Sequence, residues 1–220
     1  MGRQAILVAH GSPGDPVPQE AAMQALAVRV GMWRPGWRIR GATLAMPGAL
    51  EAALAAMDAP LIYPFFMAEG WFTKVNLPRR LAAVGCGDVR QLAPFGTDPA
   101  LVDLMVAAAG GAGPVLIAAH GSKVSATSSR TTYEMVAAMI ARGFGPVRAG
   151  FVEEAPFLED LAREMGGGVC LPFFALRAGH VVGDVPEALE AAGFDGVLCP
   201  PIGEDIGVAQ LIAAALERVI

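Results

Sequence analysis

The 220-residue sequence predicts an α/β protein whose two similar halves, each with a four-stranded parallel sheet, are related by duplication. Three observations predict this fold class. The tripeptide His-Gly-Ser follows an apolar run at His10 and again, 110 positions later, at His120. The tripeptide Pro-Phe-Phe also ends an apolar run in each half, at Phe66 and at Phe174. The segments between these runs are Ala- and Leu-rich with a helical period, which is typical of parallel strands joined by crossover helices.

The elements of the first half follow from their local patterns. Short apolar runs rich in β-formers predict strands near residues 5–9, 38–44, 61–66 and 89–92. The intervening segments predict helices near residues 18–31, 47–57, 75–84 and 99–109. The run LIYPFF is continuously apolar, as is VCLPFF in the second half, and this is typical of strands buried on both faces of a parallel sheet.

The second half repeats the same order of elements. Its predicted strands lie near residues 115–119, 147–152, 169–174 and 196–199, and its helices near residues 128–142, 156–165, 185–192 and 205–219. The Gly-rich stretch 110–114 separates the halves. We therefore predict two domains, residues 1–112 and 113–220.

Composition excludes several classes of protein. A net charge of −5 without a strongly basic run argues against a nucleic-acid partner. The longest uncharged stretch, residues 104–122, is interrupted by glycines and a proline, which argues against a membrane span. The three cysteines lack C-x-x-C spacing and predict reduced thiols, and the N-terminus lacks a signal peptide's pattern. We expect a cytoplasmic protein.

The two halves differ in the loop after their third strand. PFFMAEGWFTKVNLP aligns with PFFALRAGHVVGDVP without a gap, so that Phe72 corresponds to His180 and Asn76 to Asp184. Asp184 precedes Val-Pro and is interpreted as the N-cap of the next helix.

The loop after the second strand differs in the same direction. GATLAMP aligns with GFVEEAP, which gives the second half Glu153 and Glu154 where the first has Leu44 and Ala45. At least one of the two carboxylates is therefore expected to be functional.

Ligands of open parallel sheets bind beyond the carboxyl ends of the strands, which is where these loops lie. Two imidazoles and a carboxylate suit a divalent metal ion, and imidazole also exchanges protons near neutral pH. The second half therefore carries the predicted site, built from His120, His180 and a carboxylate of Glu153 or Glu154. His10 has no partner histidine in its own half and is expected to be a remnant or a supporting residue.

VAHGS, AAHGS, FVEEAP and PFFALRAGHVVGDVP, in this order and spacing, resemble the signature segments of the class II chelatases, the sirohydrochlorin cobaltochelatase and ferrochelatase group. The resemblance extends over both halves and implies chelatase-like, flavodoxin-like domains. It also implies a lyase that inserts Co²⁺ or Fe²⁺ into a tetrapyrrole, for siroheme or cobalamin biosynthesis. The residues that the resemblance implies as catalytic and metal-binding are His120, His180 and Glu153. The metal is then a substrate, and no organic cofactor is expected. One departure is that two-half members commonly keep the catalytic pair in the first half.

The substrate of that group carries many carboxylates, which an acidic protein must meet with local hydrogen-bond donors. The donors and the aromatic wall that we predict for substrate binding are Ser122, Lys123, Ser125, Ser128, Arg130, Arg177 and Trp71.

Two other functions stay open from the residues alone. The exchanged roles of the halves are compatible with a non-catalytic protein that binds a tetrapyrrole or a metal. A histidine-dependent phosphatase is a weaker alternative, because Ala9 and Ala119 precede the two histidines where such enzymes have arginine. The chain is expected to be a monomer or a homodimer.

Overall fold

The computed structural model describes residues 2–55, 57–111 and 113–219. The chain divides into two compact units, one formed by Met1–Asp98 with Ile206–Ile220 and the other by Pro99–Asp205. Both units are α/β and each contains one parallel sheet, as predicted. Within the described residues, no helix is both long enough and apolar enough to cross a membrane.

The first unit is built on a sheet with the strand order β2-β1-β3, formed by β1 (Gln4–Ala9), β2 (Arg38–Thr43) and β3 (Leu61–Pro64). Its helices are α1 (Val17–Trp33), α2 (Ala49–Ala55) and α3 (Leu77–Ala83), and a π-helical segment (Phe72–Asn76) leads into α3. β1 is central and apolar and is almost completely buried, so the loop that follows it starts from a fixed point at the sheet edge.

The prediction of a fourth strand near residues 89–92 is wrong, because these residues do not form an extended strand. Ile62 pairs there with Gln91 through an isolated parallel bridge. Pro60 and Pro64, two positions to either side of Ile62, lack N–H groups and so remove donors that a longer ladder would use. In the second half, Gly168 occupies the place of Pro60 and extends the corresponding ladder. Among the described residues, the first sheet therefore has three strands instead of four.

The second unit has the four predicted strands, in the order β5-β4-β6-β7. They are β4 (Val115–Ala119), β5 (Val147–Phe151), β6 (Gly167–Pro172) and β7 (Asp195–Leu198). Its helices are α4 (Leu101–Ala109), α5 (Thr127–Ala141), α6 (Leu158–Met165), α7 (Gly179–Val182) and α8 (Asp184–Ala192). The central strand β4 is again fully apolar and buried.

The last helix, α9 (Val208–Glu217), belongs to the first unit. It packs against α1, where Arg34 donates a hydrogen bond to the Ala213 carbonyl over 2.8 Å and forms an ion pair with Glu217. Arg218, directly after α9, pairs with the buried carboxylate of Asp98. The two units thus differ from the domains expected at 1–112 and 113–220, because α4 lies with the second unit and α9 with the first.

Candidate active site

His120 is held at the end of the central strand of the second unit. β4 ends at Ala119, and the His120 carbonyl accepts a 2.9 Å hydrogen bond from the Glu153 N–H. The next residue, Gly121, has φ +71°, and a Cβ atom at this position would lie 2.8 Å from Cγ of Glu154. The turn therefore requires glycine for both its backbone conformation and its space. It places His120 beside the loop that follows β5.

His180 reaches the same edge from the loop that follows β6. It lies in the four-residue helix α7, which ends at Gly183 before α8 starts at Asp184. Its Nε2 atom lies 3.0 Å from Nε2 of His120, and the two rings meet edge to face with centroids 4.4 Å apart. The structure thus brings together the two predicted catalytic histidines.

The other nitrogen of each ring fixes its tautomer. Nδ1 of His120 lies 2.8 Å from the Gly121 carbonyl oxygen, and Nδ1 of His180 lies 2.5 Å from the Asp184 carboxylate. Both partners are acceptors, so each Nδ1 carries the proton and donates it. When both rings are neutral, the Nε2 lone pairs must then face each other.

Two facing lone pairs 3.0 Å apart repel unless a cation lies between them. A shared proton satisfies this condition, and so does a metal ion. At an imidazole–metal bond length of about 2.1 Å, this separation gives an N–M–N angle of about 90°, which suits neighbouring ligands of an octahedral ion. The pair is therefore built to hold a positive charge.

Glu153 lies in the adjacent loop but forms a different contact. Its carboxylate accepts a 3.0 Å hydrogen bond from the ammonium group of Lys123. This hydrogen bond, reinforced by the charge of Lys123, lowers the pKa of Glu153 below its ordinary value. Within the described part of the chain, no group of three or more His, Cys, Asp or Glu residues is spaced to hold a metal ion. The role of Glu153 as a third metal ligand beside His120 and His180 stays a prediction.

The carboxylate next to Glu153 supports the turn. Glu154 accepts a 2.8 Å hydrogen bond from the Ser122 N–H, and its aliphatic chain covers Gly121. Because Ala45 lies against Gly11 in the same way in the first half, the structure agrees with the residue-by-residue alignment of the two halves.

The predicted substrate donors lie in two groups. The first follows His120 on the loop and first turns of α5; its hydroxyls bond within the loop or lie half-buried, and its cations are exposed. This group comprises Ser122, Lys123, Ser125, Ser128 and Arg130. The second group is Arg177, whose guanidinium forms two hydrogen bonds with Glu204, of 3.0 and 2.7 Å. This pairing raises the pKa of Arg177 and directs its fork at Glu204.

The first unit carries the matching positions without the second imidazole. Nδ1 of His10 lies 2.7 Å from the Gly11 carbonyl oxygen, as in the second unit. The ring of Phe72 takes the place of an imidazole, with its centroid 4.1 Å from that of His10. Trp71, predicted as an aromatic wall, packs edge-on against Phe72 and is half exposed.

Asp184 is the residue that the sequence-based site omitted. Its predicted role as an N-cap is wrong: α8 includes Asp184, and among the described residues it begins without a side-chain cap hydrogen bond at Gly183. The carboxylate is bonded to His180 instead. The spacing His-x-x-x-Asp is the signal that could have indicated it, because residues four apart lie on one helix face.

Comparisons with known proteins agree with this fold. The model of the CbiX family matches residues 114–219. The structure of CbiX, the terminal enzyme for biosynthesis of siroheme in denitrifying bacteria, is 44% identical, with a TM-score of 0.89 over 99% of this chain and 100% of that one. A comparison with curated proteins finds no match.

Two structures of SirB from Bacillus subtilis are more distant. The sirohydrochlorin chelatase SirB of subspecies spizizenii, in complex with cobalt, is 14% identical with a TM-score of 0.76, over 99% of this chain and 95% of that one. SirB with Fe³⁺ is 16% identical with a TM-score of 0.76, over 100% of this chain and 94% of that one. At these identities the likeness establishes the fold.

Proposed function

The chain belongs to the CbiX family of class II chelatases, and we propose on this basis that it inserts Fe²⁺ into sirohydrochlorin. The choice of iron is supported by the relative that is 44% identical over the whole chain, the terminal enzyme for biosynthesis of siroheme, since siroheme is the iron complex of this macrocycle. Co²⁺ is the alternative metal, because imidazole ligands accept either ion and selectivity depends on geometry and supply.

The observation that carries the proposal is the pair of facing Nε2 atoms on His120 and His180. Insertion replaces two pyrrole N–H protons by one divalent metal ion. The two Nε2 lone pairs first bind the metal ion. Once the ion moves to the macrocycle nitrogens, the pair is free to accept the two protons one after the other, the first passing to solvent before the second is taken up, because the gap between the Nε2 atoms holds one proton at a time.

Charged groups around the pair have separate roles in this proposal. Lys123 and Arg130 are exposed cations on the loop and helix after His120, and they bind carboxylates of the macrocycle. Glu153, ionised beside Lys123, contributes a negative charge that stabilises a positive charge on the histidine pair. Metal binding by Glu153 is not part of the proposal, because its carboxylate is engaged by Lys123.

The test is metallation of sirohydrochlorin under anaerobic conditions, followed by absorbance, with Fe²⁺, Co²⁺ and Ni²⁺ in parallel. His120→Ala and His180→Ala should each lower the rate by about 100-fold or more, because each removes one metal ligand and one proton acceptor. His10→Ala is the matched control, since it removes the same imidazole from the corresponding turn of the first half, and it should stay within about threefold of the parent. Full activity in both second-half variants would refute the proposal. Binding of the macrocycle without faster metallation would instead support a non-catalytic binding protein.

A further inference from the structure

The carboxylate of Asp184 is bound to the nitrogen of His180 that points away from His120. Its Oδ2 atom accepts from Nδ1 of His180 over 2.5 Å, while Nε2 of the same ring points at His120. The contact crosses the break between α7 and α8, where Gly183 has φ −112° and ψ −82°. His180 and Asp184 therefore keep the contact that residues four apart make in a helix, although they belong to two helices.

This contact determines which nitrogen of His180 can bind a metal ion. A neutral imidazole carries one proton, on either ring nitrogen, and only the other nitrogen has a lone pair. A carboxylate at Nδ1 keeps the proton there and leaves the lone pair on Nε2, and it also holds the ring in one orientation. Without this acceptor, His180 could place its proton on Nε2, next to His120, where it would block the metal.

The first half gives an internal comparison. Phe72 stands at the position of His180, and Asn76 at the position of Asp184. Both residues belong to one continuous π-helical segment, without the break seen at Gly183. The imidazole, the carboxylate and the helix break therefore occur together in one half and are replaced together in the other.

The two supports of the pair are unequal in kind. Nδ1 of His120 donates to the backbone carbonyl of Gly121, an acceptor that also exists at the corresponding turn of the first half and that no side-chain substitution removes. Nδ1 of His180, in contrast, donates to a side chain, the carboxylate of Asp184. The orientation of the pair is therefore most sensitive to substitution at Asp184.

We infer that Asp184 is a positioning residue: it holds the proton of His180 on Nδ1 and so presents Nε2 toward His120 for a divalent metal ion. The inference rests on the proposed function for its catalytic consequence, but the tautomer and the metal affinity can be measured without the macrocycle. Asp184 has no contact of its own with the metal ion in this role.

The variants are Asp184→Ala, which removes the acceptor, and Asp184→Asn, which keeps a neutral one. Glu187→Gln is the matched control, because it removes the same charge from an exposed position one turn further along α8. ¹⁵N NMR of the imidazoles near pH 8 reports the tautomer, and the three histidines of the chain can be assigned from single variants. Titration calorimetry with Co²⁺ alone reports the affinity.

In Asp184→Ala, we expect the His180 proton to redistribute to Nε2 and the affinity for Co²⁺ to fall by about 10–100-fold. Asp184→Asn should lie between, and Glu187→Gln should match the parent. In the metallation assay, Asp184→Ala should lower the rate at limiting metal far more than at saturating metal, whereas the KM for sirohydrochlorin should not change.

An unchanged tautomer and affinity in folded Asp184→Ala would overturn the inference while leaving the proposed function intact. An equal loss in Glu187→Gln would also overturn it, because the effect would then be one of charge alone. If the parent protein showed the predicted tautomer and metal binding but did not metallate sirohydrochlorin, the proposed function would fail and the role of Asp184 in metal binding would stand.

Discussion

Restoring the missing imidazole to the first half should create a second metal site. His10 already has the orientation of His120, because its Nδ1 lies 2.7 Å from the next carbonyl oxygen, against 2.8 Å in the second half. Phe72 lies where the partner imidazole would be, with ring centroids 4.1 Å apart, against 4.4 Å for the natural pair. The double substitution Phe72→His with Asn76→Asp therefore supplies the second imidazole and the carboxylate that orients it.

The size of the effect follows from this geometry. The change should raise the metal-binding stoichiometry from one to two ions per chain, because it gives the first half the same two imidazoles that we propose as the metal ligands of the second half. Phe72 is only partly buried, so replacing its phenyl ring by imidazole should lower the free energy of unfolding by about 1 kcal/mol. For a chain of this length, that corresponds to a fall in melting temperature of about 2–4 °C.

The assay is calorimetric titration with Co²⁺ in a chain whose own pair has been removed by His180→Ala. The double substitution at positions 72 and 76 should restore one binding site in this background, and a further His10→Ala should abolish it. A folded variant that binds no Co²⁺ would refute the reasoning, because it would mean that the π-helical segment holds residue 72 in an orientation from which an imidazole cannot reach the ion.

Two further predictions concern the turn and the ion pair beside the histidines. Gly121→Ala should lower the free energy of unfolding by about 2–4 kcal/mol and also slow metallation, because the new methyl group lies within 3.0 Å of Glu154 at positive φ. Gly110→Ala, also at positive φ but with open space among the described residues, should cost only about 1 kcal/mol in thermal denaturation and leave metallation unchanged. Lys123→Met should raise the pKa of Glu153 toward its ordinary value. The contact stabilises the fold above the ordinary glutamate pKa and is lost as pH falls through the lowered one, so the carboxyl titration by ¹³C NMR should move to higher pH, and an unmoved titration would contradict the assigned contact.

The central strands were the most predictable part of the fold. Among the described residues, seven strands form ladders and all lie at predicted strands, and β1, β3, β4 and β6 are mainly apolar and buried, as strands covered on both faces must be. Of the edge strands, β7 is exposed and β2 is only partly buried. The eighth predicted strand, near residues 89–92, forms only an isolated bridge. Pro60 and Pro64 remove hydrogen-bond donors from the neighbouring strand, and the composition of residues 89–92 does not reveal this. The placement of α9 depends on long-range pairs such as Arg34 with Glu217, and these have no signature in local sequence.

The site was predictable as far as comparison of the halves could carry it. The replacement of Phe72 by His180 identified the pair, and the structure brings this pair together. The carboxylates were harder, because an acidic residue at a helix start has several possible partners. Glu153 was expected to complete a metal site, but its contact with Lys123 is made by two side chains whose directions the sequence does not specify.

The histidine position that both halves share, His10 and His120, says less about function than the position of His180, which only the second half has as histidine. His10 and His120 both donate through Nδ1 to the following carbonyl and both precede a glycine at positive φ, so the His-Gly turn is a local structure that each half forms without a second imidazole. One such imidazole offers one lone pair, which binds a hydrated metal ion weakly and accepts one proton. Two lone pairs in register require His180 and the support of its ring by Asp184. The difference between the half that carries the proposed site and the half that does not therefore lies in the loop after the third strand, at the positions of Phe72 and His180.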